Sequence, residues 1–359
     1  MFEPIDAVQD LDVPHHGGLK RKELKKFGLS VDEVIDFSAS LNPFGPPDFI
    51  LSYIEEVSEN DIFHYPEREP NKFVSDISNL YDVKRENVVV SAGVSELIDL
   101  IGKAFIDEEK SVLVPEFTYG EYEPVSKLNG GNLKTIRMPD LKLEANRFIN
   151  KIEENSVVFI CNPNNPTGDL LSKTELNRIL EAVKSKDSLL VLDEAYLQFN
   201  SVNVDLSDSL DSNLILMKSI TKIFGIPGIR IGYGLTSPEL KRDLLKVKVP
   251  WSVSGLASKI SANLFKEEGL SFIDRSRKKI NKNKQWIKTR LGRTKFDYID
   301  SETNFILIDV ENASKVRKKL LKKGVIVRDC SSFGLPNFIR IGIRRKEENK
   351  KLIDALRSI

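Results

Sequence analysis

The sequence predicts an α/β protein with a mainly parallel, doubly wound sheet in a large domain and a smaller C-terminal α+β domain. Through the middle of the chain, short β-branched runs alternate with helical patterns, which is typical of parallel sheets with helical crossovers. After Pro250 this alternation ends, and a long basic helical stretch begins. The 359 residues suffice for one domain of about 250 residues and a smaller one. We place an N-terminal arm at 1–45, the large domain at 46–255 and the small domain at 256–359.

The large domain is predicted from five apolar runs and the helical patterns between them. The runs read as buried strands, because they are short, β-branched and bounded by polar residues. The predicted strands are residues 88–91, 111–114, 157–161, 189–193 and 214–218, and the predicted helices are 96–105, 119–128 and 172–185. Ser172 is followed three residues later by Glu175, the spacing of a capping box at a helix N-terminus.

The small domain is predicted from the changed pattern after Pro250. In chain order it should contain a helical stretch at 253–291, a strand at 304–310, a helix at 313–322, strands at 325–328 and 338–342, and a helix at 347–357.

The composition excludes several classes of protein. With 40% hydrophobic and 30% charged residues, the chain is neither disordered nor low in complexity. Two cysteines, Cys161 and Cys330, rule out a disulfide scaffold. We find no apolar run long enough for a membrane span and no signal peptide, so we expect a cytoplasmic protein with no membrane partner. We also expect no metal, because adjacent side chains such as His15 and His16 rarely chelate together and His64 is the only other histidine.

Charge is distributed unevenly along the chain, although the net charge is only +1. Residues 269–359 contain 24 basic and 10 acidic residues. Such asymmetry indicates either a nucleic-acid or anionic ligand, or a basic small domain that rests on an acidic large one. We favour the second interpretation, with no nucleic-acid partner, because the basic residues alternate with apolar ones as on an amphipathic helix.

Polar, turn-forming residues follow three neighbouring predicted strands. They are NPNNPTG at 162–168, DEAY at 193–196 and SITKIFGIPGIR at 219–230. Ligands of open α/β sheets gather beyond the carboxyl ends of the strands. The sequence therefore predicts a functional site at this edge of the sheet.

The residue types at this edge suggest a particular ligand. A buried carboxylate at Asp193 needs a cationic partner, such as a protonated pyridine nitrogen. Apolar neighbours of Lys222 favour its neutral, nucleophilic amine. Ser219, Thr221 and Arg230 are suited to an anion, and SAGVS at 91–95 could hold a phosphate at a helix N-terminus. Together they describe a pyridoxal phosphate site.

The three strings resemble those of the pyridoxal-phosphate enzymes of aminotransferase fold type I, in order and spacing, from about residue 15 to about residue 345. The resemblance implies a large domain with a seven-stranded, mainly parallel sheet flanked by helices. It also implies a cofactor, pyridoxal 5'-phosphate, and a role for each matching residue.

By this resemblance, Lys222 forms an imine with the cofactor and Asp193 bonds its pyridine nitrogen. Asn165 and Tyr196 bond its phenolic oxygen, and Tyr119 stacks on its ring. The phosphate is held by Gly93, Val94, Ser95, Ser219, Thr221 and Arg230.

The resemblance also suggests how the substrate and a second subunit are bound. Arg340 would clamp the substrate α-carboxylate, and Arg344 would meet a distal phosphate. Tyr65 matches a tyrosine that reaches the partner subunit's cofactor, which implies a homodimer.

Two activities within the family remain open, both on small phosphorylated amino substrates. HGG at 16–18 and FSASLNPFGPP at 37–47 resemble the opening of the O-phosphothreonine decarboxylases of cobalamin synthesis, in which His16 would help to hold the substrate phosphate. Tyr196 is instead more similar to the aminotransferases that act on histidinol phosphate, and the decarboxylases often carry asparagine where Ser40 stands. We favour the decarboxylase.

Two other classes are not supported. A dinucleotide-binding fold would need the motif G-x-G-x-x-G after the first strand, and this motif is absent there. The P-loop motif is also absent from the sequence. A non-catalytic binding protein on the same fold should have lost Lys222 or Asp193, and both are present.

Overall fold

The computed structural model describes residues 3–9, 11, 16–202 and 204–359. His15 and part of the predicted N-terminal arm lie outside the described residues. The strands are β1 (Ile35–Asp36), β2 (Val88–Ser91), β3 (Ser111–Pro115), β4 (Asn132–Ile136), β5 (Val157–Cys161), β6 (Leu189–Asp193), β7 (Leu214–Ser219), β8 (Gly232–Thr236), β9 (Tyr298–Ile299), β10 (Phe305–Asp309), β11 (Val325–Ile326), β12 (Arg328–Asp329) and β13 (Phe338–Gly342).

Helices cover both faces of the large sheet and one side of the small domain. They are α1 (Asp6–Gln9), α2 (Arg21–Lys26), α3 (Asp48–Glu55), α4 (Glu59–Phe63), α5 (Asn71–Tyr81), α6 (Val94–Phe105), α7 (Tyr122–Leu128), α8 (Ala145–Ile149), α9 (Lys173–Lys184), α10 (Thr221–Phe224), α11 (Pro238–Val247), α12 (Gly255–Ser261), α13 (Glu267–Leu291), α14 (Ala313–Leu321) and α15 (Lys346–Arg357). No helix in the described ranges is both long and apolar enough to cross a membrane.

The large sheet has seven strands in the order β2-β8-β7-β6-β5-β3-β4. Only β8 runs antiparallel to its neighbours, β2 and β7, and the remaining pairs are parallel. The α/β prediction and the five predicted strands are therefore confirmed. β5, β6 and β7 are buried at every residue, because helices cover both faces of this part of the sheet.

The sequence did not indicate two strands of the large sheet. β4 lies at the sheet edge, and its residues are mostly exposed or half-buried, so it lacks an apolar run. β8 contains Gly234, and a glycine at this point in the sequence suggests a turn rather than a strand. A Cβ at Gly234 would lie 2.8 Å from a methyl of Leu97 and 3.0 Å from one of Val89. The glycine therefore permits a close approach within the sheet and does not mark a turn.

Several predicted boundaries differ from the observed ones. The helix predicted at 119–128 begins at Tyr122 and leaves Tyr119 in the preceding turn. The stretch predicted at 253–291 is two helices, α12 and α13. The chain bends between them, and a Cβ at Gly269 would overlap the carbonyl of Leu264. The capping box at Ser172 is confirmed, since its hydroxyl accepts from the backbone N–H of Glu175 at 3.3 Å.

The strand predicted at 325–328 is divided between two sheets. β11 pairs in parallel with β1 of the N-terminal segment. β12 joins an antiparallel sheet of order β12-β13-β10-β9. The N-terminal segment, which the sequence placed outside the small domain, therefore supplies one of its strands.

The two domains share a continuous apolar core. One cluster of buried side chains extends from the large sheet through Phe224 and Phe272 to Ile280 on α13 and Phe305 on β10. On the opposite face of the sheet, a second cluster packs under α6, α7 and α11. This shared core sets the position of the small domain over the carboxyl ends of the parallel strands.

Gly168 lies at a close contact between the domains, and its substitution tests the packing. Its φ is +74°, and a Cβ there would overlap the side chain of Ser301. We expect Gly168→Ala to lower the free energy of unfolding by about 1–3 kcal/mol, because left-handed backbone strain and overlap add. The matched control is Gly228→Ala, where a Cβ has no neighbour within 4 Å. Urea unfolding that gave the two variants equal stability would contradict the prediction.

Candidate active site

Two adjoining cavities lie at the carboxyl ends of the parallel strands. We call the cavity of 90 Å³ the inner cavity and that of 320 Å³ the outer cavity. Residues shared by their walls are Ser95, Tyr119, Asn165, Tyr196, Lys222 and Arg230. The inner cavity is also lined by Gly93, Val94, Asp193, Ser219 and Thr221, and the outer cavity by His16 and Arg340. Most predicted site residues are thus brought together.

Asp193 is the buried acid of the inner cavity, and the residue is 2% exposed. It accepts hydrogen bonds from the hydroxyl of Tyr122 at 2.7 Å and from the backbone N–H of Ala195 at 2.9 Å. Burial raises the pKa of Asp193, while these donors and the charge of Lys222 lower it. The carboxylate is therefore suited to hold a further cationic N–H donor in the cavity.

Tyr122 is the partner of Asp193 that the sequence analysis did not identify. Its ring stacks on Phe159 with centroids 4.9 Å apart. Burial and the neighbouring Asp193 charge raise the pKa of Tyr122 well above its usual value. Its hydroxyl therefore stays protonated and donates to Asp193 throughout the neutral range.

The adjacent acid, Glu194, has a separate partner on the opposite side of the strand. Lys218 of β7 forms a salt bridge with Glu194, with both side chains buried, and a second with Asp205 at 3.1 Å. Burial raises the pKa of Glu194 to about 7. Burial alone would lower the pKa of Lys218, but the charges of Glu194 and Asp205 outweigh it and raise that pKa. We conclude that Lys218 stays protonated and neutralises Glu194.

Lys222 lies in the short helix α10, directly after β7. The N-terminal segment holds this turn in place. The N–H of Asn42 donates to the carbonyl of Lys222 at 2.9 Å, and the Asn42 amide donates to the carbonyl of Ile223 at 2.7 Å. The backbone of Lys222 is therefore fixed, while its side chain lines both cavities.

An anion cradle lies where β2 joins α6. Gly93 has φ +90°, and a Cβ there would lie 3.0 Å from the guanidinium of Arg230. Arg230 itself has φ +59°, and it donates to the carbonyls of Pro227 and Ala92 at 3.3 and 3.5 Å. Backbone N–H groups at the start of α6 and this guanidinium are suited to a phosphate.

Aromatic and amide side chains form the wall between the cavities. Burial raises the pKa of Tyr119, although a hydrogen bond with Ser95 opposes the shift. Tyr196 is buried and packs edge-on against Phe305 at 5.0 Å. The side-chain oxygen of Asn165 accepts a hydrogen bond from Arg340. Flat rings and an amide in this position can flank an aromatic ligand.

Two arginines face the outer cavity from neighbouring strands. Arg340 on β13 lies opposite Arg328 on β12, and both line this cavity. Arg340 donates to the carbonyl of Ser38 at 3.1 Å. Its buried Nε has no hydrogen-bond partner in the described part of the chain.

Arg328 donates to the hydroxyl of Ser332 at 2.6 Å, and burial and the charge of Arg340 lower its pKa. Because both side chains line the outer cavity, both guanidinium groups can contact an anionic ligand there.

Arg328 was not among the predicted site residues. The signal was weak, because residues 325–328 read as one apolar strand, and only the change of sheet at β12 places Arg328 opposite Arg340.

The remaining predicted residues lie at the rim or elsewhere. His16 is at the rim, with its ring 6.3 Å from that of Tyr119 and its Nε2 2.8 Å from Glu121. Arg344 lines neither cavity; it donates to Glu348 at 2.6 Å and to the carbonyl of Asp36 at 3.0 Å. Tyr65 is 80% exposed and lines neither the inner nor the outer cavity of this chain.

The residues present fit pyridoxal phosphate. The cradle at Gly93 would hold its phosphate, the buried carboxylate of Asp193 would hold its pyridine N–H, and Lys222 lines the same cavity. The outer cavity then remains for a substrate with anionic groups.

Comparisons with known proteins agree with this fit. The chain matches the family model for aminotransferase class I and II over residues 32–356, which confirms the resemblance of the motifs. It is 35% identical to a candidate threonine-phosphate decarboxylase of Caldanaerobacter subterraneus, over 89% of either chain. It is 32% identical to the histidinol-phosphate aminotransferase of Methanosphaera stadtmanae, over 95% of either chain.

Solved structures show the same fold. The histidinol-phosphate aminotransferase of Clostridium acetobutylicum superimposes with a TM-score of 0.81 at 27% identity, over 90% of this chain and 98% of that one. The L-threonine-O-3-phosphate decarboxylase of Porphyromonas gingivalis gives 0.79 at 25% identity, over 90% and 98%. These relatives are named for two different activities.

The buried pair beside the cavity gives a prediction on stability. We expect Lys218→Met to destabilise the fold by about 3–5 kcal/mol at neutral pH, because Glu194 loses its cationic partner and must take up a proton to stay buried. The pKa of Glu194 is already raised by burial and should rise further without Lys218. A raised carboxyl pKa contributes stability below the unfolded value, and that contribution is lost as pH rises through the folded value. The variant's stability should therefore fall as pH increases from about 5 to about 9.

Urea unfolding across this pH range measures the effect. The control is Lys103→Met, which removes an exposed lysine paired with Asp99 and should cost less than about 1 kcal/mol at any pH. A Lys218→Met variant as stable as this control, or one that gains stability as pH rises, would refute the assignment of the pair.

Proposed function

Because this chain belongs to the class I and II aminotransferase family and is a pyridoxal-phosphate enzyme, we propose that it decarboxylates O-phosphothreonine. The enzyme would be cytoplasmic and serve cobalamin synthesis. The observation that carries the proposal is that His16 and Gly17, from the decarboxylase-like HGG string, line the outer cavity together with the pair Arg328 and Arg340. O-Phosphothreonine has two anionic groups, a carboxylate and a phosphate, and so offers one to each guanidinium.

The chain's residues divide the work between binding and proton transfer. When bound, pyridoxal phosphate supplies an electron-withdrawing ring that accepts electrons from a bond broken at the substrate's α-carbon. Asp193 would accept a hydrogen bond from the protonated pyridine nitrogen. Asn165 and Tyr196 would bind the phenolic oxygen. The Lys222 side chain lines both cavities, so its amine would hold or return a proton at the substrate's α-carbon.

Which bond breaks depends on how the two arginines hold the substrate. With pyridoxal phosphate bound, the bond at the α-carbon that these residues hold perpendicular to the cofactor ring would be the one weakened. Arg340 as the carboxylate site and Arg328 as the phosphate site would fix the rotation about the α-carbon. His16, at the rim, would add a second contact to the phosphate. Arg344 does not take part in this proposal, because Glu348 already occupies its guanidinium.

The second candidate is transamination of histidinol phosphate. Tyr196 favours it, and several relatives bear that name. Two arginines are compatible with this activity as well, because 2-oxoglutarate has two carboxylates.

We also propose that the enzyme is a homodimer. Large apolar side chains are exposed together on α4 and on the segment before α12: Ile62 is 79%, Phe63 78% and Tyr65 80% exposed, with Val249 and Trp251 nearby. Tyr65 stacks on Trp251 with centroids 4.5 Å apart, so the face is continuous. A second copy of this chain would cover it and would bring Tyr65 to the neighbouring cofactor.

The reaction is tested with purified, cofactor-loaded protein and two substrates. We expect carbon dioxide from O-phosphothreonine, and no glutamate from histidinol phosphate with 2-oxoglutarate. Lys222→Ala should lose activity and yellow colour while keeping its far-ultraviolet spectrum. The control is Lys248→Ala, a lysine that donates to the carbonyl of Val90 outside both cavities. Glutamate without carbon dioxide would establish the aminotransferase instead, and full activity of Lys222→Ala would refute the role of that lysine.

The dimer is tested by light scattering of the eluting protein. We expect a mass of twice 40.7 kDa for the unchanged chain and the monomer mass for Phe63→Asp, because a charge in an apolar interface is costly. Val31→Asp is the control, since Val31 is also exposed but lies next to β1, away from α4. A monomeric unchanged chain, or loss of the dimer in both variants, would contradict the proposed face.

A further inference from the structure

A third cavity, of 590 Å³, opens beside the outer cavity, and we call it the vestibule. Its wall includes His16, Gly17, Ser38, Arg328 and Ser332, which also line the outer cavity. Its other side is formed by α2 and α14, so the vestibule lies between the N-terminal segment and the small domain.

The wall shared by the two cavities is well ordered by hydrogen bonds. The N–H of Gly18 donates to the hydroxyl of Ser38 at 2.8 Å, and that hydroxyl donates to Asp36 at 2.6 Å. A Cβ at Gly17 would overlap the carbonyl of Ser38, so the backbone here is in close contact. Arg328 stands in this wall and faces both spaces.

The charge on the vestibule wall is strongly positive. Besides Arg328, its basic residues are Lys20, Lys22, Lys26, Arg317 and Lys318, against the acidic Glu23 and Asp329. Glu23 accepts two hydrogen bonds of 2.6 Å from Arg317, which lower its pKa. Asp329 accepts from the N–H of Ser331 at 2.9 Å. Both carboxylates are thus engaged.

The vestibule lysines form weaker interactions. Lys22, Lys26 and Lys318 are exposed, and the charges of Lys20 and Lys26 lower the pKa of Glu23 less than Arg317 does. The reacting cavities do not need these charges, because Arg230 serves the inner cavity and Arg328 and Arg340 serve the outer one. The exposed lysines at the entrance are therefore available to an anionic ligand outside the inner and outer cavities.

We propose that the vestibule is an anion-binding entrance, which captures the phosphate of the incoming substrate and passes it to Arg328 in the shared wall. A cleft lined by one sign of charge raises the local concentration and the association rate of an oppositely charged ligand. Because the lysines are exposed, salt should screen their effect within about one Debye length, roughly 8 Å at physiological ionic strength. This inference rests on the proposed function, in that the substrate carries a phosphate.

The test compares two charge reversals in the cofactor-loaded protein. Lys22→Glu with Lys318→Glu changes the vestibule alone, since neither residue lines the inner or outer cavity. The control, Lys151→Glu with Lys186→Glu, makes the same change of net charge near the start of β5 and β6, at the opposite edge of the sheet. We expect kcat/KM for O-phosphothreonine to fall about tenfold in the vestibule variant at low salt, with kcat changed less than about twofold.

The dependence of kcat/KM on salt distinguishes electrostatic attraction of the substrate from damage to the active site. In the unchanged protein and in the control, kcat/KM should fall steeply as sodium chloride is added, whereas the vestibule variant should show a shallow slope. At high salt all three proteins should converge. Equal values for the vestibule variant and the control at low salt, or a loss confined to kcat, would overturn the proposal.

A binding measurement keeps this proposal distinct from the proposed function. Titration of inorganic phosphate and of O-phosphothreonine, followed by phosphorus NMR at low salt, should show weaker binding in the vestibule variant than in the control. If the protein is inactive with O-phosphothreonine but shows this difference in binding, the proposed decarboxylase activity is refuted and the proposed role of the vestibule is not. Equal phosphate binding in both variants would refute the proposed role of the vestibule in anion binding, whether or not the enzyme is active.

Discussion

The site is organised around the cost of burying two adjacent carboxylates at the end of β6. Asp193 and Glu194 point to opposite sides of the strand, and each is almost completely buried. A buried charge is tolerated only with a partner. Glu194 has a full cationic partner in Lys218. Among the described residues, Asp193 has two neutral donors and the charge of Lys222 as partners, which leaves it able to bind a cationic ligand.

The N-terminal segment connects this acid site to the arginines of the small domain. Within a few residues it pairs with β11, donates from Asn42 to the turn that carries Lys222, and accepts from Arg340 through the carbonyl of Ser38. The separation of Lys222 from Arg340 therefore depends on this short segment. Substrate selection is set where the two domains and the segment meet, and not within either domain alone.

The excess of positive charge in the small domain has several distinct uses. Lys284 is buried and donates to the carbonyls of Ser301 and Thr303, and Lys288 pairs with Asp300, so these lysines hold the domain together. Lys318 instead projects into the vestibule. The overall charge of the segment therefore says little by itself, because internal bonds and ligand-facing positions contribute to the same total.

The sequence by itself determined the features that depend on short-range signals. The strands β5, β6 and β7 are apolar runs, the helix after Ser172 starts with its own capping residues, and the three polar strings follow strand ends. Parallel strands bring such ends to one edge of the sheet, so the meeting of Asp193, Lys222 and Arg230 could be expected.

The remaining contacts of the site were decided only by the tertiary structure. The pairing of Arg328 with Arg340 depends on strand register, the bond from Tyr122 to Asp193 spans 71 residues, and the contact of Arg344 with Glu348 competes with its predicted role. Each of these depends on which residues meet across separate elements. That choice follows from packing of the whole chain and leaves no local pattern in the sequence.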